Sequence, residues 1–166
     1  SLEMRLKNLK SLVVAGCFVA GLVACESGPN VPAGEESKFL FALKTSETIG
    51  DQVGNVALNE NGIMIHPGAT APTSVSFNLD GKLRAIGIKP YIAPLNEEGK
   101  AHADAGIVGV ELLVDGKSVD KFTVDRNFSQ EKTLDVKGAK SLEIRVDNGN
   151  GTPIWDWFHV KVTSVK

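Results

Sequence analysis

The feature of this sequence that most constrains its fold is a series of short apolar runs separated by turn residues. Several runs alternate apolar and polar residues: Val75, Phe77 and Leu79 share one face of their run, and the run 142–146 alternates in the same way. A period of two is typical of a strand with one buried face. No window sustains an apolar stripe of 3.6-residue period over three helical turns, so we expect little helix.

The runs predict about ten short strands. They cover residues 38–44, 53–58, 62–66, 73–79, 83–92, 107–114, 118–124, 132–136, 141–146 and 154–164. Asp80-Gly81 and Asp115-Gly116 lie between runs, as two-residue hairpin turns do, because Asp-Gly accepts the positive φ that such turns require. This pattern predicts an all-β fold, a jelly-roll-type β-sandwich of two sheets with ligands handled by loops at its ends.

The N-terminal residues predict where the protein works. A basic segment, residues 4–10, precedes the apolar run 12–23, which is shorter than the roughly 20 residues that cross a bilayer. A basic start and a short apolar middle are typical of a secretory signal. Leu22-Val23-Ala24-Cys25 is similar to the lipobox of bacterial lipoproteins, in which the cysteine is acylated and becomes the first mature residue. An ordinary signal peptide that happens to contain a cysteine is the alternative.

The chain is therefore expected to have three parts. Residues 1–24 comprise a tag remnant and a lipoprotein signal peptide, residues 25–37 the lipidated Cys25 and a flexible tether, and residues 38–166 the β-sandwich. We expect a lipid-anchored protein of the cell envelope. Glu26 stands where an Asp would resemble an inner-membrane retention signal, so in a Gram-negative cell the expected site is the outer membrane, on its periplasmic or its outer side.

Composition excludes several classes of function. The chain has 18 Lys and Arg residues and 20 Asp and Glu residues, which give a net charge of −2. A protein that binds nucleic acid normally carries an excess of basic residues, so this class is excluded. Cys17 leaves with the signal and Cys25 carries lipid, so the predicted domain has no thiol for a disulfide or a zinc site. We find no nucleophile elbow, phosphate-binding glycine loop or Cys/His dyad, and therefore expect a protein that is not an enzyme and carries no cofactor.

The last run carries both tryptophans of the chain. A period of two places Phe158, Val160 and Val162 on the core face. The opposite, wetter face then carries the side chains of Trp155, Trp157, His159, Lys161 and Thr163. An indole ring beside hydrogen-bonding groups suits a sugar, because the C–H face of a pyranose packs on the ring while its hydroxyls pair with polar side chains. The alternative is that Trp157 fills a small cluster under a loop.

Polar residues near these tryptophans complete the candidate site. His66 ends a predicted strand, Asn148 and Asn150 lie in the loop before the tryptophans, and Asp156 separates them. Each suits a sugar hydroxyl, although His66 and the loop residues also suit ordinary turns. Asp147 with loop carbonyls is a possible structural calcium site, but the spacing of an EF-hand is absent from the sequence.

Several motifs, taken in order, resemble a known family. They are NGIMIHPG at 61–68, VSFNLDGK at 75–82, GVELLVDGK at 109–117, LDVKGAKSLEIRV at 134–146 and the closing Asp156-Trp157. Together they resemble the NPCBM family, which is related to carbohydrate-binding module family 51. The resemblance implies a non-catalytic β-sandwich that binds terminal sugars, often in galactose-containing glycans.

Two functions follow from these observations. The first is a membrane-anchored lipoprotein whose β-sandwich binds carbohydrate through Trp155, Trp157, Asp156, His66, Asn148 and Asn150. The alternative is a structural or assembly lipoprotein that binds another envelope protein through the same aromatic face. A rim of Asn, Asp and His side chains around the indoles would favour a sugar, and a flat apolar patch would favour a protein.

Overall fold

The computed structural model describes residues 28–166. Two short helices and ten strands follow one another along the chain. They are α1 (Glu36–Ala42), β1 (Lys44–Thr48), β2 (Asn55–Asn59), β3 (Gly62–His66), β4 (Thr73–Asn78), β5 (Ala85–Ile92), α2 (Glu97–Lys100), β6 (Val108–Val114), β7 (Lys117–Val124), β8 (Lys132–Asp135), β9 (Ser141–Asp147) and β10 (Phe158–Val165). The predicted lipidation site, Cys25, and the signal peptide lie outside the described residues.

The strands form two five-stranded antiparallel sheets. The first sheet has the order β1-β4-β9-β6-β7, and the second has the order β2-β3-β10-β5-β8. The core lies between them, because the inward residues of both sheets belong to one buried cluster. Val75 and Phe77 of β4 are fully buried, as are Leu142, Ile144 and Val146 of β9. The predicted all-β, jelly-roll-type sandwich is confirmed, and so are these two core faces.

The strand predicted at residues 38–44 is wrong, because most of these residues belong to α1. The helix has only 7 residues, too few to show three turns of periodicity in the sequence. It places Leu40 in the core with no exposed surface, and Phe39 and Phe41 pack against the same cluster. Burial of these apolar side chains, rather than propensity, stabilises so short a helix.

Helix α1 also satisfies a backbone group of β10. Strand β3 pairs with β10 only at His159 and Val160, so the next N–H on that edge has no strand partner. Ser37 of α1 fills this gap, since its hydroxyl accepts a 2.9 Å hydrogen bond from the Val162 backbone N–H. The helix begins at Glu36, inside the predicted tether of 25–37. The division of the chain into three parts otherwise stays a prediction.

The two Asp-Gly turns have the predicted backbone conformation but different roles. Asp115 and Gly116 have φ values of 50° and 77° and join the paired strands β6 and β7, as expected. Asp80 and Gly81 also have positive φ, 54° and 69°, but they connect β4 of one sheet to β5 of the other. The hairpin predicted there is wrong, because a turn sequence sets the local backbone and not the pairing of the strands that follow.

The connections are distributed unequally between the two ends of the sandwich. Antiparallel register places five connections, including the three longest of residues 28–166, at one end, here named the long-loop end. These connections are residues 49–54, 67–72, 93–107, 125–131 and 148–157. The opposite end carries tight turns such as Asp115-Gly116. Within residues 28–166, the helices are all too short to be a candidate membrane span.

Candidate functional site

The six predicted sugar-binding residues all lie at the long-loop end. His66 is the last residue of β3, and the other five belong to the 148–157 connection before β10. Strand β3 lies beside β10, which brings the end of one next to the beginning of the other. The sheet topology therefore brings together residues that are far apart in sequence. Whether they bind a sugar stays a prediction.

Trp157 and His66 are the pair that is in direct contact. Their ring centroids are 4.9 Å apart with an interplanar angle of 72°, an edge-to-face arrangement. Trp157 remains 44% exposed, whereas His66 is 4% exposed. The buried imidazole therefore braces the indole, and the indole still presents a large apolar surface to solvent. The alternative in which Trp157 fills a buried cluster is not what the structure shows.

The hydrogen bonds of His66 define its tautomer. Its Nδ1 lies 2.8 Å from the Pro67 carbonyl oxygen, which can only accept, so Nδ1 carries the proton and donates. Nε2 is then an acceptor, and no described residue supplies it with a donor. Burial lowers the pKa of His66 from its usual value of 6.5, which keeps the ring neutral at pH 7.

The sequence pattern predicted Trp155 and Trp157 on the same face of one strand, and the structure does not place Trp155 there. Strand β10 begins only at Phe158, and Trp155 lies in a turn with φ of 57°, so strand alternation does not reach it. Its half-buried indole packs against the core cluster. The ring also covers the backbone of Gly99 so closely that an added Cβ there would lie 3.1 Å from it. The core face predicted for Phe158, Val160 and Val162 is confirmed.

Asp156 lies beneath the site rather than on its surface. The residue has no exposed surface, and its Oδ1 accepts a 3.0 Å hydrogen bond from the Ile107 N–H. Its Oδ2 is buried without a partner among residues 28–166. The pKa of this carboxyl is raised from 3.8 to about 8, chiefly by burial and in smaller part by the negative charges of Asp147 and Asp104, although the hydrogen bond from the Ile107 N–H lowers it. A neutral, inaccessible carboxyl group positions the loops but does not reach a ligand in this conformation.

Asn148 and Asn150 hold neighbouring connections together. The Asn148 amide donates a 2.8 Å hydrogen bond to the Ala69 carbonyl, and the Asn150 amide donates one of 2.8 Å to the Asp104 carbonyl. Both side-chain oxygens also accept from backbone N–H groups of their own loop. The 148–157 connection is thereby tied to 67–72 on one side and to 93–107 on the other. These amides shape the site. The Asn148 amide also donates to the Gly68 carbonyl at 3.5 Å, whereas the Asn150 amide donates one hydrogen bond within residues 28–166 and has a second N–H for a ligand.

Sequence reasoning missed Asp51, which ties a fourth connection, 49–54, to 67–72. Its Oδ1 accepts hydrogen bonds from the backbone N–H groups of Thr70 and Ala71, at 2.9 and 2.8 Å, and its Oδ2 accepts from the Thr70 hydroxyl at 2.8 Å. The Thr70 backbone bond is the largest contribution lowering the pKa of Asp51. No periodic signal marks this residue, because a loop-to-loop bond follows from tertiary proximity alone.

His159 is also placed differently from the prediction. It points to the outer face of its sheet as expected, but it is only 4% exposed. The Tyr91 ring stacks on it at 5.4 Å with an interplanar angle of 21°, and Asn59 Nδ2 donates to its Nε2 at 3.1 Å. Its Nδ1–H donates to the Trp157 carbonyl at 3.0 Å. His159 therefore supports the backbone of Trp157 and is not itself available to a ligand.

The predicted calcium site was assigned to Asp147 and loop carbonyls. Within residues 28–166, no group of three or more His, Cys, Asp and Glu side chains could hold a metal ion. The Asp147 carboxylate accepts a 2.7 Å hydrogen bond from the Gly149 N–H. Calcium held by Asp147 and loop carbonyls stays a prediction.

Comparison with known proteins supports the fold. No protein-family model matches the chain, and no curated protein matches it in sequence. Among solved structures, it is similar to the M60 catalytic domain of Clostridium perfringens ZmpB with its two carbohydrate-binding module family 51 (CBM51) domains. That match has a TM-score of 0.52 and 18% identity, and covers 74% of this chain and 14% of that one.

Two further matches concern CBM51 modules alone. The tandem modules of a family 98 glycoside hydrolase from Streptococcus pneumoniae match with a TM-score of 0.51 and 15% identity, over 74% of this chain and 45% of that one. The CBM51 module of a Clostridium perfringens GH95 protein, solved with methyl-galactose, matches with a TM-score of 0.50 and 14% identity, over 74% and 92%. This chain thus spans less than half of the first two structures but nearly all of the isolated module. The chain has the β-sandwich fold of CBM51 modules.

Proposed function

We propose that this chain is a carbohydrate-binding module that receives a sugar at its long-loop end. The observation that carries the proposal is the exposed Trp157 ring, braced edge-to-face by His66. The indole would stack against the apolar face of a pyranose. Nε2 of His66, for which residues 28–166 supply no donor, would accept a hydrogen bond from one of the sugar hydroxyl groups. These contacts combine ring stacking with hydrogen bonding, the two interactions that sugar recognition requires.

The surrounding loops favour a site that is formed before the ligand arrives. Asp51, Asn148 and Asn150 tie four of the five connections to one another. A rigid frame reduces the entropy lost on binding. A single stacking surface with few hydrogen bonds still gives weak binding, and we expect a Kd on the order of 10–1000 µM.

The proposal also includes a class of sugar. A CBM51 module with this fold was solved with methyl-galactose, and the motifs of this chain resemble a family that binds terminal, often galactose-containing, glycans. We therefore propose a terminal galactose-type sugar. The role is non-catalytic. The lipobox around Cys25 supports a lipid anchor in the cell envelope, at the outer membrane in a Gram-negative cell.

Calorimetric titration with methyl-galactoside tests the site. We expect Trp157→Ala to weaken binding at least tenfold, because the stacking surface is lost, while Val119→Ala, which truncates an exposed side chain of β7, leaves binding unchanged. Thermal unfolding of both variants controls for folding. Absence of binding to galactose- and glucose-type sugars alike, or full affinity in Trp157→Ala, would refute the proposed site.

The role of His66 is tested by two substitutions in the same titration. His66→Gln places an amide oxygen near the position of Nε2, whereas His66→Asn keeps only a donor near Nδ1 for the Pro67 carbonyl. We expect the Gln variant to retain more affinity than the Asn variant. Because burial lowers the pKa of His66 from its usual 6.5, affinity in the unchanged protein should fall only at a more acidic pH, where His66 becomes protonated and Nε2 no longer accepts.

A further inference from the structure

Two lysines lie side by side on the outer surface of the second sheet. Lys89 of β5 and Lys161 of β10 are direct partners in the antiparallel register. Their neighbours in sequence, Ile88 and Val162, are buried on the core side, so both lysines project outward and are exposed. They border a depression of about 360 Å³ that is also lined by Tyr91, Phe128 and Ser129. We name these five residues the lysine groove.

The charges in the groove are not balanced locally. Like charges directly opposite each other on neighbouring strands are destabilising. Neither Lys89 nor Lys161 forms an ion pair with an acidic residue in the described part of the chain. Lys161 also lines a second depression together with Glu36, Glu60 and Lys38, but the groove itself has no acidic lining residue. An anion placed between the two ammonium groups would relieve their repulsion.

The walls of the groove are aromatic and held in place. The Tyr91 ring stacks on His159, and its hydroxyl donates a 2.6 Å hydrogen bond to the Asn61 carbonyl. Phe128 stacks on Phe122 with centroids 5.8 Å apart and an interplanar angle of 18°. Both rings are therefore positioned before a ligand binds. Ser129 adds a hydroxyl group that can donate or accept a hydrogen bond.

The groove is separate from the site at Trp157. Lys161 lies four residues after Trp157, a distance of about 13 Å along a strand, and the buried His159 lies between them. The volume of the groove is near the lower end of the range for small-molecule sites. A small ligand with one anionic group and a ring fits these dimensions.

We propose that the lysine groove is a second binding site, which takes an acidic sugar with its carboxylate between Lys89 and Lys161. The sugar ring packs against Tyr91 and Phe128. The choice of a sugar rests on the proposed carbohydrate-binding function, whereas the requirement for an anion rests on the paired lysines alone. The site would allow the domain to distinguish uronic-acid-containing glycans from neutral ones.

NMR titration with galacturonic acid, with galactose as the neutral counterpart, tests this inference. Galacturonic acid is expected to shift the backbone amides of Lys89, Tyr91 and Lys161, and galactose is not. Lys89→Gln and Lys161→Gln should each weaken binding about tenfold, since each removes one charge-assisted hydrogen bond. Lys137→Gln is the matched control, because Lys137 is an exposed lysine in the turn between β8 and β9 and does not line the groove. Raising NaCl from about 50 to about 500 mM should weaken binding through screening.

Three outcomes would overturn the inference. They are absence of shifts with galacturonic acid, equal shifts with galactose, and equal shifts with inorganic phosphate, which would make the groove a general anion site. Amides of Trp157 and His66 report on the other site in the same spectra. Shifts there without shifts in the groove would leave the proposed function standing alone, and the reverse would leave only the acidic-sugar site.

Discussion

The surroundings of the Asp156 carboxyl group favour its neutral form. It is fully buried, has one hydrogen bond from a backbone N–H and lies near two other carboxylates. Because its pKa is raised to about 8, the folded protein holds a proton here that the unfolded chain releases near pH 4. Stability from this group is therefore present at low pH and is lost as the pH rises toward 8.

We expect Asp156→Asn to stabilise the protein at alkaline pH. The amide keeps an acceptor for the Ile107 N–H but carries no charge. The gain over the unchanged protein should therefore grow from pH 5 up to the pKa of about 8 and reach a few kcal/mol at pH 9, because each pH unit in that range contributes about 1.4 kcal/mol. Urea unfolding at both pH values measures the difference. The lowered pKa values of His66 and His159 affect both proteins equally and cancel. A difference independent of pH would contradict the raised pKa.

The two tryptophans show what the sequence pattern could and could not predict for single residues. Alternation correctly predicted the core face of β10, because its inward residues lie inside a regular strand. Alternation did not predict the position of the Trp155 side chain. This residue lies in the turn before β10 and has a positive φ, so the strand period does not apply to it. The residues that brace the site, Asp51 and Tyr91, carried no pattern, since their roles come from partners distant in sequence.

The sequence did not predict β1, α2 or α1, and α1 is the element that lies where a strand was predicted. Its apolar residues are too few for a helical period, and an extended segment would show the same apolar content. Only the gap beside β10, where β3 stops pairing, explains why a helix lies there. Ser37 completes the hydrogen bonding of that edge, and Leu40 fills the core beneath it.

We expect Ser37→Ala to destabilise the fold by about 1–3 kcal/mol, because the Val162 N–H loses its partner in a partly buried place. Ser37→Thr keeps the hydroxyl and should lose less. Ser118→Ala removes an exposed hydroxyl that bonds only to Glu111 and should change stability by less than about 0.5 kcal/mol. Urea unfolding compares the three variants. Equal losses in Ser37→Ala and Ser118→Ala would show that the hydroxyl of Ser37 has no special role.

Considered as a whole, the molecule combines a rigid sandwich with one elaborated end. Both sheets contribute to the core, and the longer connections gather at the long-loop end, where hydrogen bonds from Asp51, Asn148 and Asn150 join them. The proposed neutral-sugar site lies at this end, and the lysine groove lies on the outer face of the second sheet. A domain tethered at its N-terminus would leave both surfaces available to a glycan.

The proposed anchor predicts the behaviour of the two cysteines in the cell. Cys25→Ala should abolish incorporation of labelled palmitate and move the protein from the detergent phase to the aqueous phase, because the acylated residue is lost. Cys17→Ala, within the predicted signal peptide, should leave both properties unchanged. Palmitate labelling that survives in Cys25→Ala, or disappears in Cys17→Ala, would contradict the lipobox interpretation.

The sequence by itself determined the fold class, the main core faces and the turns with positive φ, because alternation and turn chemistry are local properties that each segment expresses without its neighbours. Only the tertiary structure decided which strands pair, that residues 36–42 form a helix, and that His66 meets Trp157 while Trp155 turns toward the core. The same holds for the lysine groove, since two lysines become neighbours only through the register of β5 and β10. Contacts between distant segments depend on how the sheets and loops pack, and no short pattern along the chain encodes that packing.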